Sequence, residues 1–175
     1  SGLMRGVAAG DPHVTVFKGI PYAEAPVGEN RWRPPIPKGK WEGVFDAVRF
    51  GNVCPQGIPQ PGTFYHKEFF SAQALETHSE DCLQLNVWTP AETAEEKLPV
   101  LVFIHGGGFQ TNYSFPPQFD GEEMARKGVV AVTINYRVGI FGFLAHPDLS
   151  RESDRGISGN YGLMDQICAL QWVRD

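Results

Sequence analysis

Val100-Leu101-Val102-Phe103-Ile104-His105-Gly106-Gly107-Gly108-Phe109 is the stretch on which the reading of the chain turns. Its first five residues are apolar throughout and alternate β-branched with other side chains, the pattern of a strand buried on both faces in a parallel sheet. Three successive glycines then leave a backbone without Cβ atoms, whose N–H groups are free to adopt unusual dihedrals and to approach a bound atom closely. A bare Gly-Gly-Gly is more often a turn than a site. At the carboxyl end of a buried strand, however, open α/β sheets place their ligands. A row of N–H donors there suits an oxygen that gains negative charge during a reaction, so the expectation is an oxyanion hole.

Other Gly-rich chemistries fail on spacing. A dinucleotide fingerprint needs a third glycine where Thr111 stands, and a phosphate-cradling loop needs a terminal Gly-Lys-Ser/Thr that is missing. The loop after the third strand of an α/β-hydrolase, by contrast, carries an HGGG-type motif that supplies oxyanion N–H groups.

Outward from the glycines, further elements follow. Downstream, Asp120 caps a short helix that has Glu122 and Glu123 in its first turn, Arg126 and Lys127 in its last, and Gly128 as its stop. Val129–Asn135 is a second β-rich run, so strand, helix and strand make a right-handed βαβ unit. Residues 136–159 read as loop, and apolar residues from Gly162 onward recur at helical spacing up to Asp175 with no stop signal. Upstream, Val14–Phe17 and Leu83–Trp88 read as strands. The Pro-rich segment 19–37 reads as an ordered loop, and 51–77 as an irregular one with Phe64, Tyr65, Phe69 and Phe70 in its middle. No linker or repeat divides the chain, so residues 1–175 read as part of one domain that looks incomplete.

Bulk composition narrows the classes. The chain has 175 residues, 42% of them hydrophobic, which is enough for a core. A net charge of −5 without a basic block argues against a nucleic-acid surface. No run of about 18 apolar residues marks a membrane span. The five histidines share no ligand spacing, so neither a metal nor another cofactor is expected. Cys54, Cys82 and Cys168 fit no C-x-x-C pattern, and spacing alone leaves a Cys54–Cys82 disulfide and buried free thiols equally open.

Taken in order, Phe17-Lys18-Gly19-Ile20-Pro21-Tyr22-Ala23, Ala25-Pro26-Val27-Gly28, Arg31-Trp32-Arg33-Pro34-Pro35, Glu80-Asp81-Cys82-Leu83, Val102–Phe109, Asn135-Tyr136-Arg137-Val138-Gly139 and Gly159–Gln166 resemble the N-terminal third of the type-B carboxylesterases. This is the α/β-hydrolase group that includes cholinesterases and their non-catalytic relatives. The resemblance implies an α/β-hydrolase fold, here the N-terminal portion of a mostly parallel central sheet with flanking helices. It implies a serine carboxylic-ester hydrolase working through an acyl-enzyme, with a catalytically silent adhesion or binding domain as the alternative. Gly107 and Gly108 would donate two oxyanion hydrogen bonds, with Gly106 giving the loop its geometry. Phe109 and Tyr113 would line the acyl or alcohol pocket, with Phe64, Tyr65 and Phe69 as secondary candidates for its wall. Cys54 and Cys82 would form the first family disulfide, and Arg31 and Glu80 a structural ion pair; Cys168 is left as a helix-packing thiol.

The nucleophile, acid and base of the family lie downstream. No G-x-S-x-G occurs here, and Ser158 in Gly156-Ile157-Ser158-Gly159 has the wrong spacing. His105 shapes the strand end rather than serving as base. No Trp lies between Cys54 and Cys82, which disfavours a choline-specific site, and Gln84 replaces the aromatic residue or Thr usual in the family. The expected partner is a small-molecule ester, with the oligomeric state left open. A disulfide implies a secreted or otherwise oxidising location, and reduced cysteines would allow a cytoplasmic one. Asn112-Tyr113-Ser114 is read as a chance sequon.

Overall fold

Leu85 and Val87 send their side chains to one face of a strand and Asn86 and Trp88 to the other, which seats that strand at the middle of the molecule. It is β5 (Gln84–Thr89) of a computed structural model that describes residues 2–69, 77–93 and 95–175. Before it come β1 (Leu3–Arg5), β2 (Val7–Ala8), β3 (Thr15–Pro21), β4 (Val44–Asp46) and α1 (Phe64–Phe69). After it come β6 (Val100–Ile104), α2 (Glu122–Ala125), β7 (Val130–Ile134), α3 (Gly139–Phe143), α4 (Pro147–Glu152) and α5 (Tyr161–Arg174).

The five-stranded sheet has the order β2-β3-β5-β7-β6, and β1 pairs with β4 in a small parallel sheet of its own. Within these residues the parallel character of the expected sheet is confined to β6–β7; β2–β3, β3–β5 and β5–β7 are antiparallel. The connection from β6 to β7, residues 105–129 with α2 near its end, is long enough for the chain to cross back and run in the same direction. The register Val100↔Val130 to Ile104↔Ile134 brings the carboxyl ends of β6 and β7 together, so the loops that follow them begin side by side.

One face of the sheet, with Ile20, Leu85, Val132 and Ile134, packs against Tyr22, Tyr136, Cys168 and Ala169, and so against α5. On the other face Val16, Trp88 and Ala131 meet Ala125 of α2. Asn86, buried there, donates to Ser114 and Thr133 and accepts from the Gly19 N–H, so its amide is fully used in a dry environment. Arg137 and Asp165 tie the chain after β7 to α5. The Asp165 carboxylate accepts from Nε (2.8 Å), Nη2 (2.7 Å) and the backbone N–H (3.0 Å) of Arg137.

Four further sequence expectations change. The strand 100–104 forms, yet within the described residues it is not buried on both faces: β6 pairs there with β7 alone, and Val100 and Leu101 are about half exposed. The segment 136–159 is not all loop, since α3 and α4 lie within it; His146 caps α4 by accepting from the Asp148 N–H, and Pro147 opens its first turn. The aromatic segment expected to be irregular contains α1, while the Phe69 side chain and Phe70 fall outside the described residues. The helix expected from Asp120 is shorter, at Glu122–Ala125, and the Asp120 carboxylate accepts from the Glu122 N–H. No described helix is long and apolar enough to cross a membrane.

Candidate active-site loop

From the end of β6 the chain enters 105–112 through a series of backbone conformations that few residues tolerate. Gly107 has φ +116°, Gly108 φ +60° and Phe109 φ 61°, and after Gln110 and Thr111 the chain returns to positive φ at Asn112 (φ 93°). At Gly107 a Cβ would sit 2.1 Å from the Thr111 carbonyl oxygen, so only glycine fits. The Gly107 carbonyl in turn accepts from the N–H groups of Gln110 (3.0 Å) and Thr111 (3.3 Å), which closes the turn. Nothing lies within 4 Å of where a Cβ would stand on Gly106 or Gly108. Among the described residues, the N–H groups of Gly106, Gly107 and Gly108 donate to no protein acceptor.

The neighbouring loop sets the direction of those donors. The phenol of Tyr136 donates to the His105 carbonyl at 2.9 Å, and its ring lies flat on the imidazole, 4.3 Å between centroids and 13° between planes. His105 Nδ1 is 2.9 Å from the Gly106 carbonyl oxygen. An acceptor at that oxygen assigns the proton to Nδ1 of a neutral imidazole. Burial holds the His105 pKa down at about 4, partly offset by this contact, so the ring is uncharged at neutral pH. In a trans peptide the C=O and N–H point in opposite directions. Holding the Gly106 carbonyl toward the ring therefore turns the Gly107 N–H away from it. Further along, the Gly139 N–H donates to the Phe109 carbonyl at 2.7 Å, a direct bond between the loops after β6 and β7.

The disulfide segment supports the same loop from below. Cys54 and Cys82 are bonded, 28 residues apart in sequence. Arg31 and Glu80 form a bidentate pair, 2.6 Å at each contact, that fastens the N-terminal loop beside Cys82. Gln84 accepts from the Asn52 N–H at 2.9 Å and fills the space above Gly51, where a Cβ would come 1.5 Å from its Oε1. Cys168 is a buried free thiol on α5, pushed up in pKa by that burial.

The aromatic candidates separate. Phe109 belongs to the glycine loop, is about half exposed and packs on Phe143 at 4.8 Å. Tyr113, expected on the pocket wall, is instead wholly buried in a cluster with Val53 and Phe115, meeting the Phe115 ring edge-on at 4.6 Å. It wedges the loop against the disulfide segment, because the left-handed residue before it turns the chain inward. Phe64 and Tyr65 pack edge to face on each other on α1 and are both about two-thirds exposed. The Asn112 side chain accepts from the Tyr113 N–H, and Ser114 is buried, so the sequon is folded into the loop. Ser158 bonds to Ser150 and to the backbone of His146, a structural role. A cavity of about 350 Å³ exists elsewhere, between Trp32, Arg33, Glu152, Arg155, Tyr161 and Met164, and includes no residue of 105–112.

Comparison with known proteins supplies the family and the fold. The model of the carboxylesterase family matches residues 1–175. Fumonisin B1 esterase of Sphingopyxis macrogoltabida is 45% identical across the whole chain and 30% of its own length. Acetylcholinesterase of Electrophorus electricus is 45% identical over 93% of the chain and 25% of its own length. A solved PNB esterase superposes with a TM-score of 0.80 at 40% identity, over 98% of this chain and 33% of that one, and shares the α/β-hydrolase fold. The chain thus spans about a third of the length of the proteins it matches. It belongs to the carboxylesterase family.

Proposed function

We propose that residues 1–175 are the N-terminal part of the catalytic domain of a serine carboxylic-ester hydrolase, and that the glycine loop is its oxyanion hole. The observation that carries this reading is the row of N–H groups at Gly106–Gly108 that no acceptor among the described residues uses, at the carboxyl end of a parallel strand. A backbone that forgoes its own hydrogen bonds at this place is preorganised for a charge that forms only during reaction.

In the proposed mechanism a serine downstream of this chain attacks the ester carbonyl while a histidine accepts its proton. The carbonyl oxygen, now bearing the electron pair, rests on the N–H groups of Gly107 and Gly108 and one further donor. Collapse expels the alcohol, which takes the proton from the histidine, and leaves an acyl-serine. Water repeats the sequence to release the acid. Phe109 forms a wall of the acyl or alcohol pocket, consistent with its exposure beside the donors. Tyr113 supports that wall from beneath, and the exposed Phe64 and Tyr65 on α1 are further candidates for substrate contact. The Cys54–Cys82 bond fits synthesis in an oxidising compartment.

The test is direct. Full-length protein hydrolyses a short-chain aryl ester and is labelled covalently by an organophosphate. Folded protein that does neither refutes the proposal.

A further inference from the structure

We infer that Gln56 is a positioning residue for the glycine loop: its side-chain amide clamps the backbone of Asn112 and so couples the disulfide segment to the oxyanion donors. The inference rests on the proposed role of that loop. Gln56 Nε2 donates to the Asn112 carbonyl at 2.8 Å, and Gln56 Oε1 accepts from the Asn112 N–H. One amide thus pairs with both polar groups of one residue, as a neighbouring strand would. The same Nε2 donates to the Cys54 carbonyl at 3.1 Å, so Gln56 is itself fixed to the disulfide.

Asn112 is where a clamp is needed. Its φ of 93° lies in the left-handed region, which asparagine tolerates better than other residues with a Cβ; its own side chain accepts from the Tyr113 N–H, and Gln56 fixes the backbone N–H and C=O that this local bond leaves. It also ends the turn in which the Thr111 carbonyl closes over Gly107. If Asn112 relaxes toward an ordinary dihedral, the Thr111–Asn112 peptide rotates and the Thr111 carbonyl leaves its place above Gly107. The Gln110 and Thr111 N–H bonds to the Gly107 carbonyl then loosen, and with them the aim of the Gly107 and Gly108 donors. His105 and Tyr136 hold the loop at its start, Gly139 holds it at Phe109, and Gln56 holds its far end. Neither Gln56 nor Asn112 touches the reacting atoms, so the effect is on the placement of the donors.

The test uses Gln56→Met in the full-length protein, which preserves length and approximate volume while removing all three hydrogen bonds, with Gln56→Ala beside it. The expected result is a fall in kcat for an aryl ester, measured per titrated active site, of about 10- to 100-fold in both variants, with KM within about two-fold of wild type. Organophosphate labelling slows in parallel, since phosphylation uses the same donors. Amide hydrogen exchange of Gln110, Thr111 and Asn112 accelerates by a comparable factor, and this readout does not depend on activity. A residue that merely stabilised the fold would lower the fraction of active sites and leave the turnover of each unchanged. Unchanged turnover per site in wild-type-active protein overturns the inference, and so does unchanged exchange at residues 110–112. If wild type neither hydrolyses nor labels, the esterase reading fails by itself, and the exchange measurement still decides whether Gln56 clamps the loop.

Discussion

Replacing Gly107 by alanine is the sharpest single perturbation that this structure offers. Two costs arise there together. The dihedral of +116° is strained for any residue with a Cβ, at roughly 1–3 kcal/mol. The new methyl would also stand 2.1 Å from the Thr111 carbonyl oxygen and 2.8 Å from its carbon. Carbon and oxygen meet comfortably at about 3.3 Å, so that carbonyl must retreat by about 1 Å. It is backbone, closed by the Gln110 and Thr111 bonds to the Gly107 carbonyl, and cannot swing aside as a long side chain would. A displacement of that size in a positioning element lowers a rate by about 100-fold, similar to the loss of one oxyanion donor. Gly106→Ala meets nothing within 4 Å, and its dihedral is not left-handed. Gly108→Ala has open space but a φ of +60°, worth about 1–2 kcal/mol. Turnover per titrated site and thermal unfolding, measured for all three variants, should therefore rank Gly107→Ala far below Gly108→Ala, with Gly106→Ala mildest. If Gly107→Ala keeps wild-type turnover and melting temperature, or if the three variants are indistinguishable, the assignment of the tight turn to Gly107 is wrong.

Other expectations follow from the supporting residues. Removing the Cys54–Cys82 bond by Cys82→Ser should destabilise the protein by roughly 3–4 kcal/mol, the loop-closure value for a span of 28 residues, measured by denaturant unfolding of the oxidised wild type against the variant. Because His105 is held near 4 in the folded state and is about 6.5 unfolded, only the unfolded chain gains its proton between those values. Its contribution is complete above pH 6.5 and declines by about 3 kcal/mol as pH falls toward 4; His105→Phe, which retains an aromatic ring over Tyr136, should lose that part of the pH dependence of unfolding. Asp165→Asn leaves the Arg137 guanidinium buried without its countercharge and should cost roughly 3–5 kcal/mol, read as a lowered melting temperature with little change in KM.

How much of this was legible in the residues depends on how local each cause is. Gly107 and Gly108 could be found because a motif, a preceding strand and the need for positive φ coincide within a few positions. The left-handed Phe109 could not, since nothing about a phenylalanine announces that conformation. Gln56 was invisible for a different reason: its partner lies 56 positions away, and a lone glutamine after Cys-Pro carries no pattern. Tyr113 was misplaced because an aromatic residue beside a glycine loop reads the same whether it points into a pocket or beneath it. At α4 a signal was present in His146-Pro147-Asp148, a cap followed by a proline at the first turn, and the loop-like glycines around it masked it. For Val100–Ile104 the strand was readable while its burial was not. Apolar content fixes the backbone preference, but burial depends on what packs against the strand, and among the described residues β6 has a single neighbour.

The order β5-β7-β6 also has a consequence in time. β7 lies between β5 and β6, yet it is synthesised after both. When Val100–Ile104 leaves the ribosome it has no place in the sheet, because the strand that will receive it is still about 30 residues from completion, a delay of seconds at ordinary elongation rates of about 5–20 residues per second. During that interval five consecutive apolar residues with strong β preference are unpaired in the nascent chain, the kind of segment that seeds intermolecular pairing. Synthesis speed across 105–134, and holdase capacity where the chain emerges, are therefore expected to affect the yield of soluble protein.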